Sequence, residues 1–118
     1  MFLKKNYLFL KSNKIKHGFF TRLDGYSKQK YESLNCSISS GDNKKIVYKN
    51  RLLALNNLQL QSKKLVLIKQ THSSKVIKID KTNLNSNLVA DGMITSLNNV
   101  VLGILTADCA PIFIYDQG

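Results

Sequence analysis

Apolar and polar residues follow one another along this chain in short runs that predict many strands and one helix. The apolar runs at 65–69 and 100–106 are continuous and bounded by polar residues, which is typical of buried strands. We predict strands at residues 7–11, 16–21, 65–69, 76–80, 93–96, 100–106 and 112–115. Many strands around one helix indicate an α+β fold with a mixed β-sheet.

One helix is predicted to begin near Asp42 and to run to about residue 57. The Asp42 carboxylate can accept hydrogen bonds from the open N–H groups of a first helical turn, so it is the expected N-cap. The apolar residues that share one helical face are Ile46, Val47, Leu53, Ala54 and Leu58. Asn50 interrupts this stripe, and two interpretations stay open. Its amide either binds a loop packed over the helix or is solvated.

Length and composition indicate a single small globular domain of 118 residues. No stretch approaches the ~20 consecutive apolar residues of a membrane-spanning helix, and the N-terminus lacks the apolar core of a signal peptide. A cytoplasmic location is therefore expected. The net charge of +11 raises the alternative of a small basic nucleic-acid-binding protein. The lysines are spread along the chain rather than gathered on a helix with aromatic residues, which weighs against that alternative.

Arginine and histidine are scarce in a chain whose basic residues are mostly lysine. The two arginines are Arg22 and Arg51, and the two histidines are His17 and His72. A guanidinium group offers a planar fork of donors that an ammonium group lacks, so these arginines are expected where that geometry is needed. Arg22 suits bidentate binding of an anion such as phosphate, and a structural salt bridge is the alternative.

Two segments carry residues capable of chemistry, and each follows a predicted buried strand. Residues 70–72 end in His72, which either binds a metal or is an ordinary loop histidine. Residues 106–111 contain Asp108 and Cys109 before a proline. Cys109 is either a buried core thiol or a thiolate that binds zinc. Asp108 could bind substrate, orient a ligand or cap the turn, and Asp91 has the same ambiguity.

A catalytic zinc site usually takes three protein ligands, and His72 with Cys109 supplies two. A third from His17, Cys36, Asp91 or Asp108 requires the fold to bring it near. The same pair also fits a cysteine hydrolase or amidase, in which Cys109 is the nucleophile and His72 the base.

Several segments together resemble the YfiH-like family, also described as laccase-domain or polyphenol oxidoreductase proteins and as purine nucleoside phosphorylases. In chain order they lie at residues 17–22, 24–27, 33–35, 41–42, 50–51, 70–72, 90–92 and 106–111. The chain departs from the family pattern at Leu23 and Asp24, where two glycines are usual, and at Ser73, where glycine usually follows the histidine. These are loop positions.

The resemblance implies an α/β/β/α layered fold and a zinc ion bound by a histidine, a cysteine and a second histidine. His72 and Cys109 match the first two ligands, and we assign both as catalytic. The third family ligand lies in a His-Ala-Gly-Trp-Arg-Gly segment that residues 1–118 do not contain. We therefore expect residues 1–118 to form the N-terminal portion of a single domain that is incomplete at its C-terminus. A separate C-terminal half is a further candidate partner.

The resemblance also implies an activity: phosphorolysis of adenosine, inosine, guanosine and methylthioadenosine to free base and ribose 1-phosphate, together with adenosine deamination. Arg22, His17 and Asp108 are the expected substrate or phosphate contacts. We expect this activity to be impaired in the 118-residue chain, because one ligand is missing. Zinc is favoured over copper, since copper-dependent phenol oxidases, which the older family name suggests, usually need several histidines.

Overall fold

The structure of the protein is a computed structural model that describes the backbone of residues 2–3 and all of residues 15–116. The chain divides into two compact units. Unit 1 comprises residues 1–61 and 112–118, and unit 2 comprises residues 62–111. The strand predicted at 7–11 lies outside the described residues.

Unit 1 contains the only α-helix of the described residues, α1 (Lys44–Asn57). Its N-cap is Asn43, whose side-chain oxygen accepts hydrogen bonds from the N–H groups of Lys45 (2.9 Å) and Ile46 (3.4 Å). The prediction of Asp42 as N-cap is wrong by one residue. The Asp42 carboxylate is engaged by the Ser27 hydroxyl at 2.6 Å, so the neighbouring asparagine caps the helix instead.

The buried face of α1 is rotated from the predicted apolar stripe. Val47, Asn50 and Leu55 are its buried residues, whereas the other members of the predicted stripe are only half-buried. The helix ends where Gln59 takes a left-handed backbone (φ 58°) and the Leu60 N–H donates to the Leu55 carbonyl at 2.9 Å. Asn50 therefore lies at the centre of the buried face.

The strands of unit 1 are shorter than predicted. Strand β1 (Phe2–Leu3) pairs antiparallel with β2 (Phe19–Phe20), where a strand over residues 16–21 was expected. Residues 112–115 form no strand, so that prediction is wrong. A strand needs a neighbouring backbone to pair with, and apolar side chains alone do not provide one. Ile112 and Ile114 are 79% and 92% exposed in this segment.

Unit 2 is built from two pairs of parallel strands. Strands β3 (Lys64–Leu67) and β6 (Val100–Gly103) form one pair, and β4 (Val76–Ile79) and β5 (Gly92–Thr95) form the other. All four correspond to predicted strands, with ends displaced by up to three residues. The buried apolar residues of this unit are Val66, Ile79 and Ala90.

The predicted class is confirmed, since helix and strands are mixed and both parallel and antiparallel pairs occur. Within the described residues the strands form three two-stranded sheets rather than one continuous sheet. No helix among residues 15–116 combines the length and apolar character needed to cross a bilayer.

Candidate functional site

The loop at residues 70–74 in unit 2 carries His72, and both of its ends are fixed on the segment 88–92. On one side, the Lys69 N–H donates to the Leu88 carbonyl at 2.8 Å, and the Ala90 N–H donates to the Lys69 carbonyl at 3.0 Å. On the other side, the N–H groups of Asp91 and Gly92 donate to the Lys75 carbonyl at 3.0 and 3.1 Å. The loop therefore leaves and rejoins a single short stretch of backbone.

The Asp91 side chain fills the space enclosed by this loop. Its Oδ1 accepts from the N–H groups of Thr71 (3.0 Å) and Ser73 (2.9 Å), and from the Ser73 hydroxyl (2.7 Å). Its Oδ2 accepts from the His72 N–H at 2.9 Å. These bonds, led by those from Ser73, hold the pKa of the Asp91 carboxyl well below its usual range. Asp91 is therefore an anion that the loop backbone solvates.

His72 has a left-handed backbone, with φ 60°. This region is uncommon for residues other than glycine, although histidine enters it more readily than most. The His72 side chain is exposed. The bond from the His72 N–H to Asp91 thus falls on a residue with an uncommon backbone conformation and an exposed side chain.

The second motif segment, residues 106–111, is connected to this loop through Gln70. The Gln70 side-chain oxygen accepts from the Leu105 N–H at 3.1 Å, four residues before Cys109. Asp108 and Cys109 are both exposed, so the interpretation of Cys109 as a buried core thiol is wrong for the described chain. The two motif segments belong to the same unit, and this contact joins the first to the residue that directly precedes the second.

The described residues do not by themselves provide a complete metal site. Among residues 15–116, no three side chains of histidine, cysteine, aspartate or glutamate come close enough to hold one ion. Asp91 forms no such group with His72 and Cys109, and its oxygens accept hydrogen bonds from the loop backbone. A three-ligand centre therefore does not fit the residues present.

In unit 1, the loop that carries Arg22 is held by its backbone. The Arg22 carbonyl accepts from the N–H groups of Ser33 (2.9 Å) and Leu34 (2.7 Å). Gly25 lies so close to the same segment that a Cβ there would run into the Ser33 carbonyl and the Leu34 Cα. The Arg22 side chain is exposed, as a residue that binds a ligand anion would be.

A buried polar cluster joins this loop to helix α1, and Asn50 is its centre. The Asn50 Oδ1 accepts from the Tyr26 N–H at 2.7 Å, while its Nδ2 donates to the Ser27 hydroxyl at 2.9 Å and the Asn35 carbonyl at 2.8 Å. The Ser27 hydroxyl in turn donates to Asp42. The first interpretation of Asn50, a buried amide that binds a loop over the helix, is the one observed.

The pH dependence of stability provides a test of this cluster. Hydrogen bonds from Ser27 first, and then from Asn35, lower the pKa of the Asp42 carboxyl. A lowered folded-state pKa gives stability that is present above the unfolded value of about 3.9 and is lost as pH falls through the folded value. When the pH is lowered from about 6 to about 3, the melting temperature of the wild type should fall further than that of Asp42→Asn. Equal losses in the two proteins would show that Asp42 does not contribute in this way.

The other candidate residues of unit 1 make contacts within the fold. The His17 ring packs edge-on against Phe113, with centroids 5.6 Å apart, and its partial burial lowers its pKa. The Arg51 Nε donates to the Cys36 carbonyl at 2.9 Å. Arg51 therefore uses its guanidinium to anchor a loop, while burial raises the pKa of the half-buried Cys36 thiol.

The comparisons with known proteins agree with the motifs. A family model described as multi-copper polyphenol oxidoreductase laccase matches residues 16–118, which include both motif segments of unit 2. The chain belongs to this family. Laccase-family relatives include a purine nucleoside phosphorylase of Haemophilus influenzae, 38% identical over 97 residues, which cover 81% of this chain and 38% of the relative. The purine nucleoside phosphorylase YlmD of Bacillus subtilis is 34% identical over 109 residues, covering 84% and 38%.

Solved structures of the family share the fold. A Neisseria meningitidis protein of family DUF152 aligns with a TM-score of 0.75 at 27% identity, over 92% of this chain and 42% of that one. A Bacillus licheniformis hypothetical protein, YfiH, aligns with a TM-score of 0.62 at 26% identity, over 72% and 36%. This confirms the resemblance to the YfiH-like fold. The chain spans about two fifths of the length of the curated relatives it matches.

Proposed function

We propose that this chain contributes part of the active site of a purine nucleoside phosphorylase. Laccase-family relatives that carry this name match more than four fifths of the chain. The observation that supports the proposal most is the contact between Gln70 and Leu105 at 3.1 Å, since it couples the His72 loop to the Cys109 segment. The two proposed metal ligands, His72 and Cys109, thus lie on connected segments of unit 2.

The proposed reaction is a displacement at the anomeric carbon. A phosphate oxygen forms a bond to C1′ of the ribose while the bond from C1′ to N9 of the purine breaks. The purine leaves with the bonding electron pair and takes up a proton. The products are free base and ribose 1-phosphate, or 5-methylthioribose 1-phosphate when the substrate is methylthioadenosine. Adenosine, inosine, guanosine and methylthioadenosine are the proposed substrates, and deamination of adenosine is a proposed second activity.

Three roles in this chain belong to the proposal. Arg22, which is exposed on a loop held by its own backbone, binds phosphate. Asp108, exposed beside Cys109, and His17, which packs on Phe113, are further substrate or phosphate contacts. His72 and Cys109 are two ligands of a zinc ion whose further ligand comes from outside the described residues. A cytoplasmic location completes the proposal.

The rival use of Cys109 as a nucleophile receives less support. A cysteine hydrolase or amidase needs the thiol within hydrogen-bond reach of its base, at roughly 2.6–3.2 Å. In the described part of the chain, the side-chain hydrogen bonds of the 70–74 loop join it to Asp91, Lys75 and Leu105, and none joins His72 to Cys109.

The proposal is tested with a fusion of residues 1–118 to the C-terminal remainder of the Bacillus subtilis relative. We expect the fusion to release adenine from adenosine only when phosphate is present, with the intact relative as positive control. Release of base without phosphate, or amidase activity that is lost on thiol alkylation and survives a zinc chelator, would contradict the proposal. The 118-residue chain alone is expected to be severely impaired.

A further inference from the structure

The hydrogen bonds of Asp91 divide unequally between its two oxygens. Oδ1 accepts hydrogen bonds from the N–H groups of Thr71 and Ser73 and from the Ser73 hydroxyl, all within 3.0 Å. Oδ2 accepts from the His72 N–H at 2.9 Å, the one described donor it has. Oδ1 therefore binds the residues on both sides of His72, and Oδ2 binds the His72 N–H.

The bond to Oδ2 falls on the residue of the loop whose backbone is left-handed. This conformation is disfavoured for an L-residue, so it persists only when surrounding contacts determine it. The direction of the Cα–Cβ bond follows from φ and ψ, and the backbone of His72 therefore sets where its imidazole projects.

We propose that Asp91 is a positioning residue, whose carboxylate holds His72 in the left-handed conformation and thereby fixes the direction of its imidazole. Asp91 is not a ligand or a proton donor in this role. The fixed ends of the loop, at Lys69 and Lys75, give the carboxylate a rigid base from which to act. The value of this positioning for catalysis rests on the role proposed above for His72.

The unequal division of bonds suggests a sharp test, Asp91→Asn. The single amide oxygen can keep the partners of Oδ1, but the amide NH₂ then faces the His72 N–H, donor against donor. In the 118-residue chain, we expect amide hydrogen exchange at His72 to accelerate by about tenfold or more, because the variant loses one charge-assisted hydrogen bond. The three-bond coupling between HN and Hα of His72 should also change, because it reports φ.

Asp80 provides the matched control. Its carboxylate accepts from the Thr82 N–H at 2.8 Å and from the Thr82 hydroxyl in another turn of the same unit. Asp80→Asn removes the same charge and a similar turn contact, and we expect His72 exchange and coupling to stay at wild-type values. Unchanged exchange and coupling in Asp91→Asn, or equal changes in both variants, would overturn the proposal.

Rescue by glycine separates positioning from general support of the fold. Glycine adopts positive φ without penalty, so in His72→Gly the loop no longer needs the carboxylate to hold that conformation. In the wild type, loss of the bond at His72 leaves a disfavoured backbone that also opens the neighbouring bonds of Thr71 and Ser73. We therefore expect Asp91→Asn to accelerate exchange at Thr71 and Ser73 less in the His72→Gly background, where glycine adopts that backbone freely. Equal acceleration in both backgrounds would show that Asp91 only supports the loop as a whole.

The fusion protein connects the inference to activity. Asp91→Asn should lower kcat for phosphorolysis, whereas Asp80→Asn should leave it unchanged. If the fusion releases no base with any residue at position 91, the proposed function fails, while the exchange and coupling measurements still decide whether Asp91 positions His72. A wild-type kcat in Asp91→Asn, with His72 exchange accelerated, would overturn the catalytic part of the inference.

Discussion

Replacing Cys109 with serine is expected to reduce phosphorolysis by the fusion protein by about 10³-fold. A serine hydroxyl is not ionised near neutral pH and binds zinc poorly, whereas a thiolate binds it strongly. Loss of a metal centre removes several kcal/mol of transition-state stabilisation, which corresponds to roughly this factor. Cys109 is exposed on its segment, so the substitution should leave the fold intact.

The matched control for this prediction is Cys36→Ser in the same fusion. Arg51 binds the carbonyl of Cys36 rather than its thiol, so the anchoring contact survives the substitution. We expect Cys36→Ser to keep activity within a few-fold of the parent fusion. The assay is phosphate-dependent release of adenine, with zinc content measured on each purified variant. Full activity in Cys109→Ser would remove Cys109 from the site.

Replacing Asn50 with leucine should destabilise unit 1 by about 3 kcal/mol or more. Asn50 is fully buried, and its amide satisfies the Tyr26 N–H and the Asn35 carbonyl as well as the Ser27 hydroxyl. Leucine has the same branching at Cγ but leaves those groups without their partner, and each unsatisfied buried group costs about 1–3 kcal/mol. The variant should unfold at a markedly lower urea concentration.

Asn56→Leu is the control for helix propensity and added apolar surface. Asn56 is an exposed residue of the same helix, so leucine there gains propensity without removing a buried contact. We expect its free energy of unfolding, measured by urea titration, to stay within a few tenths of a kcal/mol of the wild-type value or to rise slightly. If Asn50→Leu were as stable as Asn56→Leu, the buried cluster would not be what holds the Arg22 loop to the helix.

Hydrophobic patterning was sufficient to find the strands of unit 2, because burial selects apolar runs whatever their partners are. The same reasoning failed at 112–115, where an apolar run has no strand beside it in the described chain and Ile114 stays 92% exposed. The N-cap was misplaced by one residue because Asp42 and Asn43 cap equally well on propensity. The choice depends on Ser27, fifteen residues away in sequence.

The chemistry-bearing residues were found from their positions after buried strands and from the family motifs, but the role of Asp91 was left undecided. Nothing local to the Ala-Asp-Gly segment indicates which backbone its carboxylate will face. That depends on both ends of the 70–74 loop pairing with residues 88–92, a tertiary arrangement. One signal in the sequence could have suggested this pairing. Residues 70–74 follow one strand, residues 88–92 precede another, and about twenty residues separate the two segments.

The proposed function is tested most directly by following the phosphorus of the reaction with ³¹P NMR. The fusion protein is incubated with adenosine and inorganic phosphate, and free base is measured in the same sample. We predict that ribose 1-phosphate forms in amounts equal to the free purine base released. Release of base with inorganic phosphate unchanged, or no turnover by a folded fusion under conditions in which the Bacillus subtilis relative is active, would contradict the assignment.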